Sequence, residues 1–303
     1  MDRPINERPL AGVALRLVTA LLLALMFALV KLAATRGVHL VETLFYRQIG
    51  SAVCATALVI IGPGFSSLHT KRVGTHVSRM ALGMLAMALN FLAIILLPLA
   101  EATAIGFSVP ILSTVLAALV LGEATGKWRW GATAAGFAGV LLIIHPSDGQ
   151  IPLQGAAVAL VGALATACVT IMIRQLGVTE RATTTVFLFA VTSLLPLGIL
   201  MLWFVQSHDP VTWLILACMA LAGGIAQLTL TASLRLAPVA LVMPMDYTSL
   251  LWATLLGMWI FAQTPTVWMW LGAPVIITSG LVIVWREHQL AKRVRSSISE
   301  LTP

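Results

Sequence analysis

The stretch Val242–Gly257, which reads VMPMDYTSLLWATLLG, decides the fold. It lies inside an apolar run from Val239 to Phe261 and carries one carboxylate, Asp246, two residues after Pro244. Apolar runs of about 20 residues, long enough to cross a bilayer core roughly 30 Å thick, recur along the whole chain. A carboxylate in such a run has to face protein or a wet cavity, because a lipid-facing charge costs several kcal/mol.

The composition indicates that lipid is the main solvent of the chain. The 303 residues are 59% hydrophobic and 10% charged, with a mean hydropathy of +1.00. A soluble domain is nearer to about half apolar and about a quarter charged. The three cysteines, Cys54, Cys168 and Cys218, fall inside apolar runs, which predicts small buried side chains and not a disulfide framework.

The apolar runs predict an all-α integral membrane protein with ten transmembrane helices. A β-barrel is disfavoured because the runs are too long and lack the apolar/polar alternation of barrel strands. The connections are short, so no segment is left for a soluble domain. The predicted helices cover residues 11–34, 40–61, 76–97, 100–122, 128–146, 153–174, 183–205, 211–234, 238–261 and 267–285.

The distribution of Lys and Arg predicts the orientation of these helices. If the N-terminus is cytoplasmic, only Lys31, Arg36 and Arg47 of the 18 basic residues lie at the outer side, which leaves 15 at the inner side. Because short cytoplasmic loops carry an excess of Lys and Arg, both termini are expected in the cytoplasm of a bacterium, with the protein in the inner membrane. The same rule explains the basic tail and the net charge of +7, so no nucleic-acid partner is expected.

The two halves of the sequence repeat. Gly131–Ile143 matches Gly272–Val284 in the placing of Gly-Ala and of a second Gly, and the amides Asn90 and Gln227 occupy corresponding positions. Each half has five helices, an odd number, so the second half enters the membrane in the opposite sense, as in many secondary transporters. Chance similarity between segments rich in Leu, Ala and Gly is the alternative. The predicted units are a first repeat over 1–148, a second, inverted repeat over 149–288 and a cytoplasmic basic tail over 289–303.

The end of each half carries a family resemblance. Leu119–Ala124 (LVLGEA) followed by Gly131–Gly139, with an echo at Gly272–Gly280, resembles the EamA-type transporters of the drug/metabolite transporter superfamily. One departure is that Glu123 has Gln263 near its matching place; we interpret Glu123 as a local partner of the basic loop after it. The resemblance implies ten helices built from two five-helix units, and transport, often export of amino acids or other small metabolites. It also implies a central cavity lined mainly by helices 1, 3, 4, 6, 8 and 9.

Asp246 is the first candidate for substrate binding. On a helix it shares one face with Ser249, Ala253 and Gly257, and that face is polar and then small. Pro244 removes a backbone hydrogen bond and frees carbonyls nearby, which suits a substrate pathway through protein. A structural polar contact between helices, or snorkelling of the carboxylate toward the headgroups, is the alternative.

Three further residues complete this candidate site. The ammonium of a zwitterionic substrate would pair with Asp246, and a hydrophobic side chain would meet Tyr247, Phe107 and Met243. Core packing is the alternative for Tyr247.

The candidate amides and hydroxyls lie in midspan. Asn90 and Gln227 have small neighbours, which leave room either for a ligand or for close helix packing with the amide as an interhelical contact. Ser108 and Ser113 flank Pro110, which predicts a helix break, and their hydroxyls would bind substrate or cap the freed carbonyls.

Two groups of charges are candidate gates that close one mouth of the carrier while the other is open. Isolated surface pairs contribute only about 0–1 kcal/mol, so several are needed to bias the equilibrium. Solvated helix ends are the alternative. The outer group is Lys31, Glu42, Arg47 and Glu101, and the inner group is Arg174, Glu180, Arg235 and Asp246.

The sequence lacks motifs for catalysis, metals or cofactors, and no ATP-binding loop appears, so neither a metal site nor a cofactor is expected. The leading hypothesis is alternating-access export of an amino acid, with membrane lipid as the surrounding partner. The alternatives are an uptake carrier for a nucleotide, vitamin or cofactor precursor, and, from another class, a membrane-embedded enzyme or a channel. Proton coupling through Asp246 or Glu101 and plain facilitated exchange both stay open, as do a monomer and a homodimer.

Overall fold

The described regular structure is entirely helical. A computed structural model describes residues 9–62, 64–70, 72–121, 127–145, 151–177, 180, 182–237 and 239–301. Short 3₁₀ turns cover Phe65–Leu68 and Met243–Tyr247. The helices are α1 (Pro9–Thr35), α2 (Leu40–Ile61), α3 (Val73–Leu96), α4 (Leu99–Gly106), α5 (Val109–Leu121), α6 (Lys127–Ile144), α7 (Leu153–Gly177), α8 (Ala182–Thr192), α9 (Leu194–Phe204), α10 (Pro210–Leu236), α11 (Val239–Val242), α12 (Thr248–Phe261) and α13 (Val267–Leu301).

The predicted all-α membrane fold is confirmed. Among the described residues, eight helical segments are long and apolar enough to cross a membrane, and a shorter apolar helix covers Trp130–Ile144. The remaining predicted span, residues 238–261, is divided between α11, a 3₁₀ turn and α12. α13 continues past the predicted end at residue 285 as one helix to Leu301.

Prolines divide three of the predicted spans. Pro110 lies in the first turn of α5, Pro196 in the first turn of α9, and Pro244 in the 3₁₀ turn before α12. A proline ring clashes with the carbonyl four residues earlier and cannot donate to it. α4 therefore ends at Gly106 and α8 at Thr192, each four residues before its proline. The breaks place polar backbone and short polar side chains inside the bundle.

The largest contacts between helices are symmetric with respect to the two predicted halves of the chain. α1 lies along α10, and α3 lies along α7. In the predicted halves α1 and α7 are the first helices while α3 and α10 are the third, so one contact maps onto the other. α6 packs on α13, its own counterpart. The boundaries of the two repeats and of the tail remain predictions.

The repeated glycine motif forms the contact between α6 and α13. A Cβ on Gly139 would lie 2.9 Å from the carbonyl oxygen of Gly272, and one on Gly272 would lie 2.5 Å from that of Gly139. The two backbones approach this closely only because both residues lack a side chain. Glu123, the acidic residue of the motif, lies outside the described residues.

The two ends of the bundle are marked by local contacts. At one end the Thr70 hydroxyl donates to Glu180 at 2.7 Å, and at the other Arg36 lies 3.5 Å from Asp209. We call them the Thr70 end and the Arg36 end; the sequence predicts that the first is cytoplasmic. The cysteines depart from expectation, because Cys54 and Cys168 are half-buried and Cys218 is exposed on α10, within a segment long and apolar enough to cross a membrane. The prediction of buried cysteines rests on soluble proteins, in which an exposed apolar side chain meets water. Lipid tails are themselves apolar, so exposure of a small apolar side chain to lipid carries no such penalty.

Candidate functional site

The break before α12 places Asp246 against α1. Its carboxylate accepts two parallel hydrogen bonds from Arg16, Nε to Oδ1 at 2.5 Å and Nη2 to Oδ2 at 2.5 Å. The Arg16 side chain is 6% exposed and that of Asp246 is 38% exposed, so one side of the carboxylate stays open. This two-pronged geometry is the strong form of an Arg–carboxylate pair. It ties the first helix of the chain to the broken ninth span near the Thr70 end.

Sequence reasoning found Asp246 but missed its partner. Arg16 was counted only as a basic residue on the inner side, while the expected neighbours of Asp246 were Arg174, Glu180 and Arg235. Glu180 instead accepts from Thr70, and the side chains of Arg174 and Arg235 lie outside the described part. The available signal was an arginine inside the apolar run of α1, because a charge in a span usually has a partner.

An aromatic corner follows Asp246. The ring of Tyr247 meets that of Phe107 edge to face, with centroids 4.9 Å apart. The Tyr247 hydroxyl lies against the backbone of Gly280 on α13, where a Cβ would come within 1.8 Å of it. The structure thus brings together two of the predicted substrate residues at two helix breaks. Met243, predicted beside them, has a side chain outside the described set.

The hydroxyls near the breaks divide into two kinds. Ser249 donates to the carbonyl of Asp246 at 2.7 Å and Thr114 to that of Pro110 at 3.0 Å, which is the capping role. The hydroxyls of Ser108 and Ser113 are buried without a partner among the described residues. A buried hydroxyl without a partner costs free energy, so these two are the better candidates for contact with a ligand.

The two midspan amides differ in their surroundings. Asn90 donates to the Thr166 hydroxyl at 2.9 Å, and a Cβ on Gly162 would lie 3.0 Å from its Oδ1, so it joins α3 to α7. Gln227 is half-buried on α10, and its backbone carbonyl accepts from Thr231 at 2.9 Å. Both stay predicted substrate residues.

The four outer charges do not pair with one another in the described residues. Lys31 donates to the carbonyls of Ile94, at 2.9 Å, and Leu97 where α3 ends. Arg47 donates to Gln48 at 2.7 Å. Fully buried Glu101 accepts from the Thr266 backbone N–H at 3.0 Å. Lys31, Arg47 and Glu101 therefore stabilise backbone segments or a neighbouring side chain near the Arg36 end. A gating role for them remains a prediction.

Glu42, the fourth of these charges, holds the loop before α10. It lies 3.1 Å from Nε2 of His208 and accepts from the Gln206 backbone N–H at 3.1 Å. Asp209 then caps α10 through the N–H of Val211 at 3.1 Å. The hydrogen bond from the Thr212 hydroxyl to this carboxylate keeps the pKa of Asp209 below its usual value. Among the described residues, no three His, Cys, Asp or Glu side chains group closely enough for a metal ion.

A family comparison covers nearly the whole bundle. The model of the EamA-like transporter family matches residues 10–145 and 153–285. The chain belongs to the EamA-like transporter family. The protein is therefore a multi-pass membrane transporter for a small-molecule substrate, and the predicted family is confirmed. The two matched ranges cover α1 to α6 and α7 to the first half of α13.

Several EamA-like relatives have named substrates. The chain is 29% identical to a riboflavin transporter of Rhizobium johnstonii over 76% of each chain, and 27% identical to one of Vibrio cholerae over 80% of this chain and 84% of that one. It is 24% identical to an S-adenosylmethionine uptake transporter of Rickettsia prowazekii, over 83% and 85%. One crystal structure shares the fold, with a TM-score of 0.61 over 92% of this chain and 98% of that one, at 20% identity.

Proposed function

We propose that the protein carries a cofactor precursor with a flat heteroaromatic ring into the cell by alternating access, with riboflavin as the first substrate to test. The names of the relatives support uptake of a vitamin or cofactor precursor better than the amino acid export that was the leading hypothesis. The observation in this chain that carries the proposal is the edge-to-face corner of Phe107 and Tyr247 at two helix breaks. Aromatic side chains at such a corner offer a flat ring both a face and an edge.

The polar groups of the site suit the remainder of such a substrate. Ser108 and Ser113 have hydroxyls without a partner among the described residues, and Asn90 and Gln227 add amides in midspan. Hydroxyls and amides match the hydrogen-bonding groups of an uncharged polyol and a heterocycle. In an amino acid exporter Asp246 would have to hold the substrate ammonium, yet here its two oxygens are engaged by Arg16.

The Arg16–Asp246 pair then acts as a gate at the Thr70 end. It joins α1 to the ninth span, while near the Arg36 end Gln263, after α12, accepts from the Leu99 N–H at 3.1 Å and Thr266 donates to Glu101. Both sets of contacts are formed in this structure, and alternating access requires that each set opens in turn while the other stays formed. We also propose that both termini lie in the cytoplasm and that the protein resides in the inner membrane.

A thermal-unfolding screen of the purified protein tests the substrate class, because a ligand that binds the folded state raises its apparent stability. Riboflavin is expected to raise the unfolding midpoint of the native protein, and Tyr247→Leu is expected to remove that shift. S-adenosylmethionine and phenylalanine serve as competing candidates. A shift produced by phenylalanine and not by riboflavin would return the assignment to amino acid transport.

A further inference from the structure

Two buried side chains near the Thr70 end, Arg79 and His76, carry nitrogens without a hydrogen-bond partner among the described residues. Arg79 is 7% exposed and His76 is 8% exposed, and both lie in the first two turns of α3. Nε and Nη1 of Arg79 and Nε2 of His76 are buried without a hydrogen-bond partner among the described residues. Because the two residues are three apart on a helix, they lie on one face.

An aromatic ring on the neighbouring helix holds the Arg79 guanidinium in place. Cζ of Arg79 lies 4.3 Å from the centroid of the Phe189 ring on α8. Gly83, one turn after Arg79, makes room for the ring, since a Cβ there would lie 2.7 Å from Cε2 of Phe189. We call this arrangement of His76, Arg79, Gly83 and Phe189 the α3–α8 seam.

Stacking on Phe189 leaves Nε and Nη1 of Arg79 without an acceptor among the described residues. A cation–π contact attracts the charge toward the face of the ring, while the N–H groups in the guanidinium plane still require acceptors. A buried guanidinium is costly unless an anion pairs with it. Among the described residues no carboxylate forms a salt bridge with Arg79, and Glu180 accepts from Thr70.

The surrounding backbone adds positive potential. α3 begins at Val73, and the residue before it, Arg72, makes no side-chain cap. The uncapped N–H groups of a helix N-terminus favour anions, and the planar fork of arginine matches carboxylate and phosphate oxygens. The guanidinium nitrogens without acceptors and the uncapped start of α3 favour a negative group at this end of the helix, whereas the Glu180 carboxylate, which is within electrostatic range of His76, opposes it.

We propose that the α3–α8 seam binds an oxyanion of the phosphate class, held by Arg79 and His76, with Phe189 fixing the guanidinium. The site lies on different helices from the aromatic corner of Phe107 and Tyr247, and it stands whether or not riboflavin is the substrate. The oxyanion comes either from a soluble phosphate compound at the Thr70 end or from the headgroup of an anionic lipid.

Binding of inorganic phosphate to the full-length protein in phosphatidylcholine nanodiscs tests the proposal. The unfolding midpoint is measured against phosphate at constant ionic strength, with chloride as the replacement anion. Phosphate is expected to raise the midpoint of the native protein. Arg79→Gln should weaken the apparent phosphate affinity by about 10- to 100-fold, the effect of removing a charge-assisted hydrogen bond, and should unfold at or above the native midpoint without phosphate.

Two control variants keep the result interpretable. His76→Gln retains Arg79 and should weaken phosphate only several-fold, which covers the case in which Arg79→Gln fails to fold. Arg36→Gln removes an exposed guanidinium at the opposite end and should leave the phosphate response unchanged.

Nanodiscs that contain phosphatidylglycerol, without phosphate, separate the two sources. A stabilisation by this lipid that Arg79→Gln abolishes assigns the headgroup, whereas a response to phosphate alone assigns a soluble anion; both support the seam as an oxyanion site. The proposal is overturned if neither anion stabilises the native protein, or if Arg79→Gln responds as the native protein does. Loss of stability in Glu180→Gln, together with no anion response, would make Glu180 the counter-ion instead.

Discussion

At the scale of single residues, the rule that charges in a membrane mark a site found Asp246 but not Arg16. The rule acts on local sequence, whereas the pair joins residues 230 positions apart. Tyr247 and Phe107 were both predicted to contact the hydrophobic part of a substrate, and the structure brings their rings together. Gly280 was noticed only as part of a repeated motif, and its contact with Tyr247 depends on how α13 packs, which no local pattern records.

The ion pair predicts strong coupling between two substitutions. Arg16→Gln and Asp246→Asn should each destabilise the protein, because each leaves a charge without its partner, and the double variant should lose less than the sum. A double-mutant cycle on unfolding free energies is expected to give a coupling of about 1–3 kcal/mol. The exposed pair Arg36→Gln with Asp209→Asn is the matched control and should show no measurable coupling. Additive effects of the first two substitutions would show that the pair does not form.

The Tyr247 contact predicts a conditional effect at Gly280. Gly280→Ala should lower stability and ligand binding, because its Cβ would occupy the place of the Tyr247 hydroxyl. In a Tyr247→Phe background the same change should cost much less, since the oxygen is gone. Unfolding midpoints of the four proteins measure the difference. An equal drop in the unfolding midpoint on Gly280→Ala in both backgrounds would show that the Tyr247 hydroxyl does not lie against Gly280.

At the scale of helices, apolar length predicted where spans lie, and prolines predicted where they break. The sequence placed Pro110 and Pro244 at breaks, but the break at Ser193 was missed, although Pro196 carries the same signal. The Ser193 hydroxyl lies 2.5 Å from Nε2 of Gln48 on α2, so tertiary contact stabilises this break. Most helix ends differ from the predicted ones by a few residues, because capping is not encoded in hydropathy, whereas α13 extends from its predicted end at residue 285 to Leu301.

The glycine contact between α6 and α13 predicts a contrast within one helix. Gly139→Leu should destabilise the protein by about 1–3 kcal/mol, because the added side chain would push the α13 backbone away. Gly131→Leu is the control, since nothing lies within 4 Å of a Cβ at that position. Equal unfolding free energies of the two variants would contradict the packing of α6 on α13.

At the scale of the whole molecule, the odd number of helices per predicted half implies inversion, and a topology measurement tests it. The Thr70–Glu180 hydrogen bond brings together the connections after α2 and after α7. In a protein without its native cysteines, Ser66→Cys and Gln175→Cys should react with an impermeant thiol reagent from the same side of the membrane. Arg36→Cys should react from the other side. Labelling of Ser66→Cys and Gln175→Cys from opposite sides would exclude the inverted arrangement.

The substrate itself was beyond the reach of local sequence patterns. Hydropathy and basic residues predict a membrane protein and its orientation, and the resemblance to a family implies transport. Substrate recognition depends on which side chains from distant helices meet at the breaks. From the sequence alone, the Asp246 carboxylate predicts binding of a substrate ammonium. In the structure Arg16 donates to both of its oxygens, which favours a different role.

The central claim is that this carrier moves a flavin-like cofactor precursor through a path gated by Arg16 and Asp246. Uptake of labelled riboflavin by proteoliposomes tests it most directly, with the native protein, Arg16→Asp, Asp246→Arg and the double exchange. We predict transport by the native protein, loss of about tenfold or more in each single variant, where like charges face each other, and partial recovery in the exchanged pair. No riboflavin uptake by the native protein, or single variants that transport at the native rate, would contradict the account.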